Sequence, residues 1–172
     1  MARFLVSLVT MLVTAVIAYA ASTFGSRNSA IFLATSATGA SGTWANQGLV
    51  ISTTSASSYN AIDPNLVTDA AGNWWLSFGS FWTGIKLIPL NSSTGLRSGS
   101  ALYSIAQRTG ASTAVEAPFI FRHGSYYYLW HQAVITDSDA DVLFYHYYAD
   151  NGASLLGINL IAYDGAGWPY VY

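Results

Sequence analysis

The sequence predicts an all-β protein built from a repeated module of four short strands. Three observations carry this. Short runs of aromatic and β-branched residues are separated by clusters of Asp, Asn, Gly and Ser. Beyond the first twenty residues, no segment sustains the apolar period of a helix. The chain also echoes itself. Ala61-Ile62-Asp63-Pro64-Asn65-Leu66-Val67 returns as Ala114-Val115-Glu116-Ala117-Pro118-Phe119-Ile120, with the two prolines 54 residues apart. Thr23-Phe24-Gly25-Ser26 returns as Ser77-Phe78-Gly79-Ser80 at the same spacing. A repeat of that length, holding about four strands, describes a β-propeller blade. A small sandwich with a chance repeat is the competing reading.

The elements follow in order. Arg3 precedes an apolar stretch from Phe4 to Ile17, too short to span a bilayer as a helix, and Ala18-Tyr19-Ala20 has the form of a cleavage site. Residues 1–20 are therefore expected to be a secretory signal peptide, with a membrane anchor as the alternative. Residues 21–172 are expected to be a partial propeller domain, secreted and extracellular. Strands are expected at Ala30–Leu33, Leu66–Val67, Trp74–Phe78, Gly84–Leu90, Phe119–Phe121, Tyr126–Trp130, Val142–Tyr148 and Gly157–Tyr163. The module opening at Glu116 runs only to Trp130 before another opens at His131. The first module enters midway, at Ser22. The expectation is an incomplete propeller of about three blades.

Composition narrows the partners. Charged residues are 8%, aromatic residues 15%, net charge −2, and cysteine is absent. Scattered basic residues offer no footprint for nucleic acid or for a membrane surface. An aromatic-rich, weakly charged surface suits a neutral carbohydrate. Asn91-Ser92-Ser93 is a glycosylation sequon, so Asn91 is expected in an exposed loop. Asp137-Ser138-Asp139-Ala140-Asp141 begins like a calcium loop, but Val142 stands where glycine is needed and Tyr148 where glutamate is needed. It reads as a solvated turn. His123 and His146 are expected to be structural or exposed.

Asp63 and Glu116, the single glutamate, stand at equivalent strand mouths. Two carboxylates so placed are what glycoside hydrolysis requires. The bland readings are a turn-starting Asp-Pro and a surface glutamate. Asn60-Ala61-Ile62-Asp63-Pro64-Asn65-Leu66, Leu76 to Ile85, Val115 to Ile120, and His146-Tyr147-Tyr148 with Gly157-Ile158-Asn159-Leu160 together resemble the endo-1,5-α-L-arabinanases of glycoside hydrolase family 43. That resemblance implies a five-bladed propeller and inverting hydrolysis of pectic arabinan. It implies Glu116 as general acid and Asp63 as the residue that orients it and tunes its pKa. It implies Asn60, Ala61, Ile62, Asp63, Ser80, Phe81 and Trp82 as the substrate groove. The family's general base is absent, because no Asp or Glu precedes Asp63. His131-Gln132 matches a motif that sets a histidine near an axial metal. His131 is thus either a water-mediated metal contact or a buried structural histidine. No cofactor is required on this reading, and a structural calcium is allowed. An impaired hydrolase is expected. The alternatives are a non-catalytic arabinan-binding or decaying fragment and, less favoured, a hydrolase of arabinoxylan or xylan side chains.

Overall fold

A computed structural model describes residues 15–110 and 113–172. Thirteen strands form four antiparallel sheets, each assembled from strands consecutive in sequence. The first sheet holds β1 (Ala15–Ser22), β2 (Ser29–Ser36) and β3 (Ala45–Thr53). The second holds β4 (Asn65–Thr68), β5 (Trp74–Phe78), β6 (Ile85–Leu90) and β7 (Tyr103–Ala106). The third is the hairpin β8 (Pro118–His123) and β9 (Tyr126–His131). The fourth holds β10 (Ala133–Thr136), β11 (Asp141–Tyr148), β12 (Ser154–Tyr163) and β13 (Pro169–Val171). Among the described residues no sheet closes on itself. This is the incomplete propeller that the repeat predicts, with a half-blade where the module breaks after Trp130.

The expected leader meets the structure at its end. Residues 1–14 lie outside the described residues, while Ala15–Ala20 form the body of β1. They pair residue for residue with Ser36 back to Ile31 of β2. The boundary drawn at Ala20 therefore falls inside a strand. An apolar Val-Ile-Ala-Tyr-Ala run has the composition of a leader's end and equally that of a covered strand.

Two cores hold the sheets. Ile31, Leu33, Val50 and Ile51 of the first sheet pack on Leu76, Phe78, Ile88 and Leu90 of the second. Val134, Leu143 and Ile161 of the fourth sheet pack against Phe119, Phe121 and Trp130 of the third. The alternation of strand residues makes this work: Leu76 and Phe78 share one face of β5, with Ile88 opposite Leu76. Phe78 is wholly buried and contacts the Tyr59 ring edge-on at 6.0 Å.

Two features depart from the sequence reading. Phe24, the repeat partner of Phe78, is fully exposed. β5 has β4 beside it, so Gly79 N–H donates to Ile62 O (2.9 Å) and the chain stays in the sheet through Phe78. Among the described residues β1 is an edge strand with no such neighbour, and the chain turns away after Ser22. Asp141, read as part of a solvated turn, is buried. It accepts hydrogen bonds from Thr136 Oγ1 (2.7 Å) and Tyr163 OH (3.1 Å), and His123 Nδ1 lies 3.1 Å away. This cluster ties the third sheet to the fourth, and burial, together with the hydrogen bond to Asp141, pushes the Tyr163 phenol far up. His123 is half exposed and stacks on Tyr163 at 3.7 Å.

Asp69 organises the β4–β5 turn. It accepts from the Trp75 indole N–H (3.0 Å), from the Asn73 side chain and from the Ala71 and Asn73 N–H groups (2.9 Å each). The Trp75 and Asn73 hydrogen bonds hold its carboxyl down at about 2. A depressed carboxyl contributes stability that is present above the unfolded value and lost as pH falls through the folded one. We therefore expect unfolding free energy to decline between about pH 4 and pH 2, and Asp69→Asn to flatten that decline in acid titrations followed by tryptophan fluorescence. Phe78→Ala is expected to cost about 3–5 kcal/mol in urea unfolding, because the ring fills the centre of the first core.

Candidate active site

The candidate site forms where the loops before β4 and β8 meet the loop after β5. The mouths of three successive sheets share a backbone device. Asp63, Ala117 and Gln132, just before β4, β8 and β10, adopt left-handed φ of 53°, 49° and 84°. Such values are uncommon outside glycine, and Asp tolerates them better than Ala. The residue equivalent to Asp63 in the fourth sheet is thus Gln132 rather than the expected His131, one position earlier.

These kinks interlock. Asp63 Oδ2 accepts the Ala117 N–H at 3.2 Å, and Asn65 Oδ1 accepts the Ile120 N–H at 2.9 Å. Gln132 N–H donates to Ala117 O at 2.9 Å, which carries the chain of contacts on to the fourth sheet. Because Glu116 precedes Ala117, the bond from Ala117 to Asp63 also places Glu116. Ser80, itself buried, donates to Glu116 Oε2 at 3.4 Å. The Asp63 carboxyl is raised above its ordinary range, chiefly by burial and further by the Glu116 charge. The Ala117 N–H and the nearby His131 oppose that rise.

The Ser80–Thr83 loop supplies the aromatic wall. Phe81 and Trp82 both sit at positive φ, 53° and 43°, and their rings meet edge-on at 6.4 Å. Phe81 N–H donates to Val115 O (3.0 Å), and Thr83 donates through N–H and Oγ1 to Ser58 O. Glycines close the base of the loop. A Cβ on Gly79 would lie 2.7 Å from Gly84 O, and one on Gly84 would lie 2.2 Å from Ala106 O.

The result is an open cavity of about 670 Å³. Asn60, Ile62, Asp63, Ser80, Phe81, Trp82 and Glu116 line it, so every expected site residue of the groove but one is brought together. The exception is Ala61, which is fully buried in the first core. Asn60 and Ile62 on either side of it line the cavity, while Ala61 belongs to the buried cluster that holds Leu76 and Phe78. Asn60 is itself nearly buried, its Oδ1 accepting from Ser29 Oγ at 2.7 Å. The cavity also takes in Ala20, Ser22, Phe24, Gly25, Ser26 and Thr113, which sequence reasoning had not assigned to a site. The repeat of Phe24-Gly25-Ser26 with Phe78-Gly79-Ser80 was the available signal.

His131 is exposed, and its ring meets that of His146 edge-on at 6.0 Å. Gln132 hydrogen-bonds His146. Calcium takes six to eight oxygen ligands. Among the described residues no three of His, Cys, Asp and Glu gather as a metal site.

The family model for glycosyl hydrolases family 43 matches residues 14–163. The chain belongs to glycosyl hydrolases family 43. It is 54% identical over 111 residues to the extracellular endo-α-(1→5)-L-arabinanase 1 of Bacillus subtilis, covering 64% of this chain and 34% of that protein. It is 45% identical over 118 residues to the arabinan endo-1,5-α-L-arabinosidase A of Aspergillus niger, covering 68% and 36%. The chain thus spans about a third of the length of the curated relatives it matches. Among solved structures, the exo-1,5-α-L-arabinanase from a bovine ruminal metagenomic library superposes with a TM-score of 0.82 at 29% identity, covering 92% of this chain and 74% of that one. The family 43 endo-arabinanase of Bacillus licheniformis gives 0.75 at 35% identity, covering 90% and 71%.

Asp63→Asn keeps an oxygen acceptor for Ala117 and tolerates left-handed φ, whereas Asp63→Ala loses both. The Ala variant is expected to be less stable than the Asn variant by about 1–3 kcal/mol in denaturant unfolding. Equal stabilities would show that the bond to Ala117 carries no weight.

Proposed function

We propose that the cavity binds arabinofuranose units of pectic arabinan, with Glu116 as the proton donor and Asp63 as its orienting partner. The observation that carries this is the convergence of two carboxylates from adjacent sheets on one cavity walled by Phe81 and Trp82. Sugar hydroxyls would meet Asn60, Asp63 and Ser80, while the aromatic faces take the apolar side of the ring.

In inverting hydrolysis the C1–O bond breaks as the acid's proton passes to the departing oxygen. A water oxygen bonds to C1 from the opposite face and gives its proton to a second carboxylate. Glu116 fills the first role. Among the described residues, the carboxylates lining the cavity are Asp63 and Glu116, and this chain has none before Asp63 to act as base. Loss of base assistance costs about 10²–10⁴-fold. The chain on this reading binds α-1,5-linked arabinan and hydrolyses it slowly. The missing base also favours a second reading, in which it binds arabinan without turnover. Secretion suits a polysaccharide too large to enter a cell, and Asn91, exposed in the loop after β6, would be open to glycosylation.

Reducing-sugar release from linear arabinan, compared between the unaltered protein and Glu116→Gln, separates the two. Release that falls at least tenfold in the variant supports hydrolysis. Equal background from both, with arabinan still bound, supports the binding reading. Failure of the unaltered protein to bind arabinan would refute both.

A further inference from the structure

Trp82 presents a difficulty that Phe81 does not. Both residues are bulky and both hold positive φ, where such side chains are strained and persist only when their surroundings over-determine them. Phe81 has its N–H on Val115 O and its own carbonyl accepting from Gly84 N–H at 2.7 Å. The indole of Trp82 projects to the cavity wall, where its orientation decides whether a sugar ring finds a flat face.

Arg27 supplies what orients it. It lies in the turn between β1 and β2, on the first sheet, far in sequence from Trp82. Its guanidinium carbon sits 5.5 Å from the Trp82 ring centroid. The same guanidinium donates through Nη1 to Ser57 O and through Nη2 to Ser55 O, the latter at 2.6 Å. That loop also carries Ser58, whose carbonyl accepts both hydrogen bonds from Thr83, the residue after Trp82. The guanidinium plane is thus fixed by two carbonyls on one loop, and that loop is fixed to the chain beside Trp82. A planar, pre-organised fork can hold two carbonyls while stacking on an aromatic face, a geometry a compact ammonium on a flexible stem does not fix. Asn28, the next residue, reinforces the brace by accepting Ser55 N–H at 3.0 Å.

We propose that Arg27 is a positioning residue for sugar recognition, holding the Trp82 indole as a platform at the cavity wall by a cation–π contact anchored to the Ser55–Ser58 loop. The proposal rests on the reading that the cavity binds arabinan. Arg27 touches no substrate on this account and acts through Trp82. Two of its five N–H donors are engaged by the Ser55 and Ser57 carbonyls.

A double-mutant cycle in arabinohexaose binding, read by calorimetry, tests this. Arg27→Ala is expected to weaken binding roughly threefold to tenfold, in keeping with a cation–π brace. Trp82→Ala should weaken it more, and Arg27→Ala added to Trp82→Ala should cost nothing further. Arg27→Lys, which keeps the charge without the fork, should fall between wild type and Arg27→Ala. It also provides the reading if the alanine variant does not fold. Arg27→Ala binding as tightly as wild type overturns the inference and leaves the arabinan reading intact. Full additivity with Trp82→Ala also overturns it, since the residue would then act elsewhere. If wild type does not bind, the arabinan reading fails first and the inference fails with it.

Discussion

Asp63 accepts the Ala117 N–H across the gap between the second and third sheets, and the rest of the site is arranged around that bond. Ala117 follows Glu116, so whatever fixes the one backbone amide fixes the other's side chain. Ala117 also passes its carbonyl to Gln132, so the same residue joins the third sheet to the fourth. The bond draws a carboxylate out of water toward a like charge. Burial and Glu116 both push the Asp63 carboxyl up, and the amide opposes them. A buried acceptor that is only partly compensated is poorly placed for stability and well placed for proton chemistry.

Much of the fold was legible because the repeat is written in residues with strong local consequences. Proline at a strand mouth, glycine in the turn and aromatic residues in the strand recur at fixed spacing, and the second sheet follows them closely. The break after Trp130 was legible for the same reason, and it appears as a two-stranded sheet. Strands β1, β3, β7, β10 and β13 were not among the expected strands. Ala45–Thr53 and Tyr103–Ala106 are polar or short, and their pairing is decided by a neighbour rather than by their own pattern.

The site was legible to the same depth and failed in the same way. Asp63, Glu116 and the Ser80–Trp82 wall line one cavity. Ala61 does not, because a motif is contiguous in sequence while an extended segment sends alternate residues to opposite sides. Phe24 shows the reverse. Its local sequence copies that of buried Phe78, yet it is exposed, and among the described residues β1 has no neighbour to match the one β5 has in β4. Asp141 was assigned to solvent from its acidic neighbours. Its burial depends on Thr136, Tyr163 and His123, which lie on three other strands. Arg27 has no motif at all; its place is visible only once the first sheet stands beside the second.

The passage from β9 to β10 takes a single residue, Gln132, at a φ of 84°. Most connections between elements in compact domains run to about four to six residues. Here there is no slack: His131 ends one ladder and Ala133 begins the next. The chain therefore turns from the third sheet to the fourth through one pair of backbone torsions, like a corner joint cut from a single piece, and the second core and the Asp141 cluster hold that corner. Material inserted at this corner would leave the pairing register of both sheets untouched, so a propeller can lose or regain half a blade here without relearning how its remaining strands match.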